Sequence, residues 1–508
     1  VLGEFKETSL LFESIDGHAS IECTYKLFET AIIFSQNIPF SIYNASYEND
    51  QDTILTSFPT FDLKDNSNQL GYAHWVSWHY EDSDSGSDSR SGSNSNSKSK
   101  SKRNIDNTNV NLTNSDNVKQ HRELLVAPGF ITPTYGLFQW STEKSIEANE
   151  TITSDSSDTT DSTDSQYNAN IPGGISGSGV LAVYDGNGMT AIISPYTGFM
   201  SQSHSGVSDG GSGSMGYGVM GLVDHIPYGY SQSTIIHFNE DGVNRGMQAW
   251  GDTMRKQYNV KPPANGVLRD VTLNTLGYNT DNGMFYYYHT DRNDTTNYQD
   301  TLEDVYDIMV KTHKIPYKYV LLGSWWYYRS TNTGGVSDWS AREDVFPNGI
   351  ESLIEYTHWD IQAHNRYWSD EVLDAVQNGG QYAFGLDRET HGAIPLSSEF
   401  WIDFFENRTD AWGMKVYEQD WLNKEMDEFY PDLMRNVTLG MDWLKQMATG
   451  ARASNLTIQY CMPTIRFLLA SLEVNGQYAY NDSNIVTQAR ASDDHLPTAS
   501  DTDVHALD

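Results

Sequence analysis

The sequence predicts an antiparallel β-sandwich followed, in the same chain, by a (β/α)8 TIM-type barrel. Three observations predict it. Short runs rich in Ile, Val, Thr, Phe and Tyr fill the first half, with no long helical pattern before about Asn244. After Asn265, strand-like and helix-like segments alternate through six strands, which implies a parallel sheet. Each of those strands ends in polar and aromatic residues: "YNTDNG", "GSWWYY", "AHNRYW", "YEQDW", "QYCM" and "RASDD". Strand ends converging on one rim favour a barrel over a doubly wound sheet, and no glycine-rich phosphate loop follows any strand. The expected domains are residues 1–264 and 265–508.

In the first half, "TAIIFS" (30–35), "GYAHWVSWHY" (71–80), "GVLAVYD" (179–185), "MTAIISP" (189–195) and "STIIHFN" (233–239) read as strands. "YDGNGMT" between two of them is a hairpin-turn signal. Three low-complexity stretches interrupt the strands, around 81–120, 152–175 and 204–218. Their Ser, Asp, Asn and Gly content buries too little apolar surface to order them, so they are expected as disordered surface loops.

In the second half, 271–289 reads as the first strand and 300–313 as a helix. That helix places Leu302, Val305, Ile308 and Met309 on one face, with Asp300 or Thr301 as its cap. A strand at 317–328, a helix at 347–358 and a strand at 360–368 follow. Next come a helix at 397–408, a strand at 412–422 and a helix at 437–450. That helix aligns Val437, Met441, Leu444 and Met447 and ends at a glycine. Residues 456–462 form the next strand, 465–473 a helix, and "IVTQARASDD" the sixth strand.

The chain has 508 residues, 38% hydrophobic and 12% aromatic, with 31 Tyr and 13 Trp. Its formal net charge of −36 repels phosphate backbones and anionic membranes, which argues against nucleic-acid binding. No apolar run is long enough to span a bilayer. Two cysteines, Cys23 and Cys461, are too few for a disulfide framework and lack metal-ligand spacing, so neither metal nor cofactor is expected. Sequons at Asn44, Asn111, Asn149, Asn293, Asn407, Asn436, Asn455 and Asn481 are compatible with a secreted or lumenal glycoprotein, although no signal peptide is visible.

A barrel rim rich in Trp, Tyr and carboxylates suits carbohydrate, because aromatic faces stack on sugar C–H surfaces and polar side chains bind hydroxyls. Glycosidic cleavage needs two carboxyl groups flanking the scissile bond. The strand ends offer Asp281, Glu418, Asp420, Asp493 and Asp494. Glu418 and Asp420 lie two apart, which puts both on one face of a strand; the other reading is a strand end paired with Lys or Arg. Adjacent Asp493 and Asp494 raise one another's pKa, as a general acid requires; the other reading is a solvated acidic turn. Trp325 and Trp326 are candidates for a sugar platform or for core packing. His364 and Arg366 are candidate rim contacts, Lys415 lies near the fourth strand's carboxylates, and Cys461 is a pocket wall or a core thiol.

These residues resemble the α-galactosidase and raffinose-synthase group of clan-D glycoside hydrolases (family 36-like). The resemblance rests on "RASDD" after "QYCM" and "KVYEQD", and on "FPNGIESLIEYTH" (346–358), and covers about 271 to the C-terminus. It implies a retaining α-glycoside hydrolase acting on oligosaccharides or glycoconjugates. Asp420 or Glu418 would be the nucleophile at the end of the fourth strand, with Asp420 preferred. Asp494 would be the acid/base in an R-x-x-x-D pattern with Arg490. Asp281, His364, Trp325 and Arg490 would shape the sugar subsite. The sequence departs from the pattern in three places. Glu418 replaces the lysine of the family's K-x-D. Gly323 and Ser324 stand where the group carries acidic residues, which puts galactose in doubt. Only fourteen residues follow the sixth strand, so a truncated barrel is expected. The alternatives are a raffinose-synthase-like transglycosylase and a non-catalytic carbohydrate-binding protein on a degenerate barrel.

Overall fold

The central strands of the main sheet in the first half are buried on both faces, which accounts for their apolar runs, whereas the edge strand Lys6–Glu13 is exposed. The computed structural model describes residues 2–14, 20–46, 53–62, 70–75, 136–139, 176–185, 187–209, 212–262, 269–280, 290, 295–479 and 484–490. Eight antiparallel strands form this sheet, in the order Lys6–Glu13, Ser20–Leu27, Ala31–Ile38, Tyr230–Asn239, Thr190–Pro195, Leu181–Asp185, Leu70–Trp75, Gly136–Gln139. Because side chains alternate along a strand, Leu181, Ile193 and Ile236 point one way and Ala182, Ile192 and Ile235 the other. The first set meets Met215 and Tyr217 of a four-stranded sheet. The second set joins a core shared with helix α1 (Val243–Gln257) and the second half of the chain. The predicted turn is present: Asp185 accepts hydrogen bonds from the amides of Asn187 and Met189, and Gly188 takes a φ of 95°.

The loop expected around 204–218 is instead a strand pair, Gln202–Asp209 with Ser212–Val219. Its glycines answer to packing rather than to disorder. A Cβ on Gly218 would stand 1.6 Å from the Thr56 carbonyl oxygen, and one on Gly216 would stand 2.1 Å from Ser57 Oγ. The segment 54–58 therefore lies against a strip without side chains. The other two low-complexity stretches lie outside the described residues.

Among the described residues the second half has six parallel strands: β1 (Leu276–Asn279), β2 (Tyr317–Leu322), β3 (Asp360–Asn365), β4 (Met414–Gln419), β5 (Thr457–Tyr460) and β6 (Val486–Ala489). Between them run α2 (Tyr298–Val305), α3 (Ile350–Thr357), α4 (Ser398–Trp412), α5 (Leu439–Ala453) and α6 (Ile465–Tyr478). The strands lie side by side in chain order. With every crossover of one hand and no reversal of order, the helices fall on one face and the other face becomes an interior, which is barrel order rather than a doubly wound sheet.

Local chemistry corrects several expected boundaries. Val271–Asn274 is a helical turn rather than strand, because Asp270 caps it by accepting from the Thr272 amide. Helix α2 is capped by Asn297, not by Asp300 or Thr301, and continues as a π-helical segment, Tyr306–Thr312. The wider π turn shifts the apolar phase, leaving Ile308 53% exposed while Tyr306 and Val310 meet the core. Helix α5 runs past Gly450 because that glycine is a contact point: a Cβ there would meet the Trp401 carbonyl oxygen of α4 at 2.4 Å.

One unit has no counterpart in the sequence reading. Five short strands from the connections after β2 and β3 form a separate sheet, in the order Tyr327–Arg329, Val336–Ala341, Trp368–Ser369, Gly392–Pro395, Phe384–Asp387. Each of these connections leaves the C-terminal end of a barrel strand, so the accessory sheet stands at the rim. The two halves are also joined by a buried charge. Arg466, at the start of α6, donates to the carbonyl oxygens of Met200 (3.2 Å) and Gln202 (3.4 Å) and to Ser203 Oγ (3.4 Å).

Candidate functional site

The C-terminal ends of β3 to β6 bring His364, Asp420, Cys461 and Arg490 together. Asp420 directly follows β4, and its amide donates to the Asn365 carbonyl (2.7 Å), extending the ladder by one residue. The chain then turns at Trp421, which adopts a left-handed φ of 60°, and beside it Met462, past the end of β5, takes a φ of 49°. Non-glycine residues hold that conformation only where surrounding bonds enforce it. Here the amides of Leu422 and Asn423 donate to the carbonyls of Cys461 and Met462, tying the two bends together.

Asp420 is buried, with its side chain 8% exposed. Oδ1 accepts from the Trp421 amide (2.7 Å), and Oδ2 pairs with His364 Nε2 (2.9 Å). Burial alone would raise its pKa. The bonds from His364, Cys461 and the Trp421 amide outweigh that and hold it below the ordinary carboxylate value, so the group is ionised at neutral pH. His364, 1% exposed, bonds through Nδ1 to the Tyr327 hydroxyl at 2.9 Å, and its carbonyl accepts from Trp339 Nε1. Arg490 Nη1 reaches Cys461 Sγ at 3.8 Å, and its amide donates to the Tyr460 carbonyl. Cys461 is a buried thiol outside any disulfide, 1% exposed, between Asp420 and Arg490.

The remaining candidates are dispersed. Glu418 sits below Asp420 in the barrel interior, where Gln362 Nε2 (3.2 Å) and Gln459 Nε2 (3.4 Å) donate to its two oxygens. Arg366 follows β3, 5% exposed, with its guanidinium 5.0 Å from the Tyr367 ring centre and 5.2 Å from that of Trp421. Trp326 is no sugar platform. It is fully buried and edge-packed against Trp339 and Trp412, because its strand end turns into the accessory sheet. Trp325 is 4% exposed and stacks at 4.0 Å on Tyr298, so that face is already occupied. Lys415 lies at the opposite end of β4, in a cavity of about 160 Å³ with Arg269, Asp270 and Asp360 at the barrel's N-terminal face. Asp281, Asp493 and Asp494 lie outside the described residues.

Tyr327 is a site residue that sequence reasoning misses. "GSWWYY" reads as one strand end, whereas the strand stops at Leu322 and Tyr327 belongs to the accessory sheet. No local pattern links it to His364, 37 residues away. Among the described residues no group of three or more His, Cys, Asp or Glu is arranged to hold a metal ion, and no helix is long and apolar enough to cross a membrane.

No family model matches the chain, and no curated protein does. Solved structures similar to it include the α-N-acetylgalactosaminidase NagBb from Bifidobacterium bifidum, at 10% identity, covering 90% of this chain and 69% of that one, with a TM-score of 0.44. A Glycoside Hydrolase Family 97 enzyme from Pseudoalteromonas sp. strain K8 is 10% identical, covers 96% of this chain and 61% of that one, and has a TM-score of 0.43. A β-arabinopyranosidase is 9% identical over 91% of this chain and 54% of that one, with a TM-score of 0.37. All three neighbours are glycosidases by name, and this chain spans between 54% and 69% of their lengths. Identities this low carry no residue role across to this chain.

Proposed function

We propose that this chain is a retaining α-glycoside-processing enzyme in which Asp420 is the nucleophile. One observation carries the reading: an ionised carboxylate at the C-terminal end of β4, oriented through Oδ2 by His364 and through Oδ1 by the Trp421 amide. Its carboxylate oxygen attacks the anomeric carbon as the glycosidic oxygen leaves. Asp494, the acid/base that the family resemblance implies, protonates that oxygen; it then takes a proton from the incoming water or sugar hydroxyl, whose oxygen attacks the anomeric carbon and releases Asp420. Arg490 and Arg366 are the proposed contacts for sugar hydroxyls. Glu418, tied to two glutamine amides, supports the barrel interior instead of attacking.

The test is turnover of aryl α-glycosides of galactose, glucose and N-acetylgalactosamine by the full chain, by Asp420→Asn and by Asp494→Asn. Turnover lost in Asp420→Asn supports the proposal; turnover unchanged in that variant removes it. Product analysis with acceptor sugars separates hydrolysis from transfer. The near-complete burial of Asp420 favours a second reading, a carbohydrate-binding protein on the same barrel. Saturable sugar binding with no turnover of any glycoside would decide for it.

A further inference from the structure

We infer that Tyr327 and His364 are positioning residues that hold the Asp420 carboxylate through one defined imidazole tautomer: Tyr327 donates its hydroxyl proton to Nδ1, and the single ring proton sits on Nε2, directed at Asp420 Oδ2. The catalytic meaning of this relay rests on the proposed nucleophile; the proton arrangement does not.

The direction of each bond follows from what its ends can do. An ionised carboxylate only accepts, so at 2.9 Å His364 Nε2 must carry a proton. At Nδ1 the partner is a phenol, a good donor, also at 2.9 Å. The Tyr327 and His364 rings lie nearly parallel, 14° apart with centres 6.1 Å apart, which suits a bond between the phenol oxygen and an imidazole edge. Burial of His364, 1% exposed, disfavours the imidazolium while the Asp420 charge favours it; a phenol that donates to Nδ1 leaves no place for a second ring proton. Trp339 Nε1 on the His364 carbonyl fixes the backbone behind the ring.

Tyr327 and Trp339 both belong to the accessory sheet. That sheet therefore holds His364 through two side chains, and Tyr327 sets which imidazole nitrogen is protonated. A neutral donor orients Asp420 without cancelling its charge, which keeps the oxygen nucleophilic. An imidazolium in the same place would compensate the negative charge and blunt attack.

The experiment is long-range proton–nitrogen correlation on the full chain labelled with nitrogen-15 histidine at neutral pH, with His364→Gln identifying the signal that disappears. The expected result is a protonated, pyrrole-type Nε2 and a bare, pyridine-type Nδ1. In Tyr327→Phe the Nδ1 resonance should shift towards that of an unbonded nitrogen. On whichever aryl α-glycoside the wild type turns over, kcat should fall by roughly 10–100-fold with KM unchanged, as is typical when an outer hydrogen-bond partner is lost. A proton on Nδ1, or on both nitrogens, in the wild type overturns the inference. So does an Nδ1 resonance that does not move in Tyr327→Phe. A wild type inactive on every glycoside would overturn the proposed function instead, while the nitrogen spectra would still decide the tautomer.

Discussion

Substituting Glu425→Gln should flatten the pH dependence of stability. Glu425 opens the π-helical segment Glu425–Phe429 that follows β4, and it is 0% exposed. Neither carboxyl oxygen makes a hydrogen bond of good geometry; the nearest donor is the Trp368 amide. Burial pushes its pKa well above the ordinary value; the Trp368 amide favours the ionised form but does not offset the burial. The sign follows from proton counting. Above about 4.3, the unfolded-chain value, the unfolded state has released this proton while the folded state keeps it. Stability is therefore fully present below that pH and falls as pH rises towards the folded value, by at most about 1.36 kcal/mol per pH unit. Glutamine copies the neutral acid and cannot ionise, so the variant loses this slope. The assay is urea unfolding of both proteins between about pH 5 and 7, with the difference in stability plotted against pH. A difference that grows with pH, by at most about 1.4 kcal/mol per unit, supports the reasoning; a difference constant across the range refutes it, because the wild-type carboxyl would then be ionised in the fold.

Other consequences follow from close contacts. Gly218→Ala drives a methyl group into the Thr56 backbone and should cost about 3 kcal/mol or more in urea unfolding. Gly251→Ala, in α1, meets only Arg255 Nη1 at 3.6 Å and should stabilise by about 0.5–1 kcal/mol in the same assay. Arg466→Met keeps most of the side-chain volume but strands the Met200 and Gln202 carbonyls at the junction of the two halves. It should lower stability by about 1–3 kcal/mol for each oxygen left unbonded, read by urea or thermal unfolding.

The β-rich texture of the first half, the βα alternation of the second and the order of its strands are all legible in the chain. Alternation along a strand and 3.6-residue spacing along a helix are local properties written at fixed intervals. For the same reason Asp420 and Arg490 stand out at the ends of the fourth and sixth strands. What these residues face is not local. Whether "GSWWYY" offers a tryptophan to a ligand depends on the accessory sheet, assembled from segments up to about sixty residues apart, which buries Trp326 and sends Tyr327 to His364. Whether Lys415 or Asp420 lies at the rim depends on which end of β4 carries each: Lys415 is near its start and Asp420 directly follows its end. Whether a Ser- and Gly-rich run is loop or strand depends on what lies against it, and the segment 54–58 needs the bare backbone of Gly216 and Gly218. The sequence by itself determined the β texture of the first half and the βα succession of the second, because those arise from interactions between near neighbours. Only the tertiary structure decided the burial of Asp420, its imidazole partner and the relay behind it, because contacts between distant segments form only once the whole chain has packed.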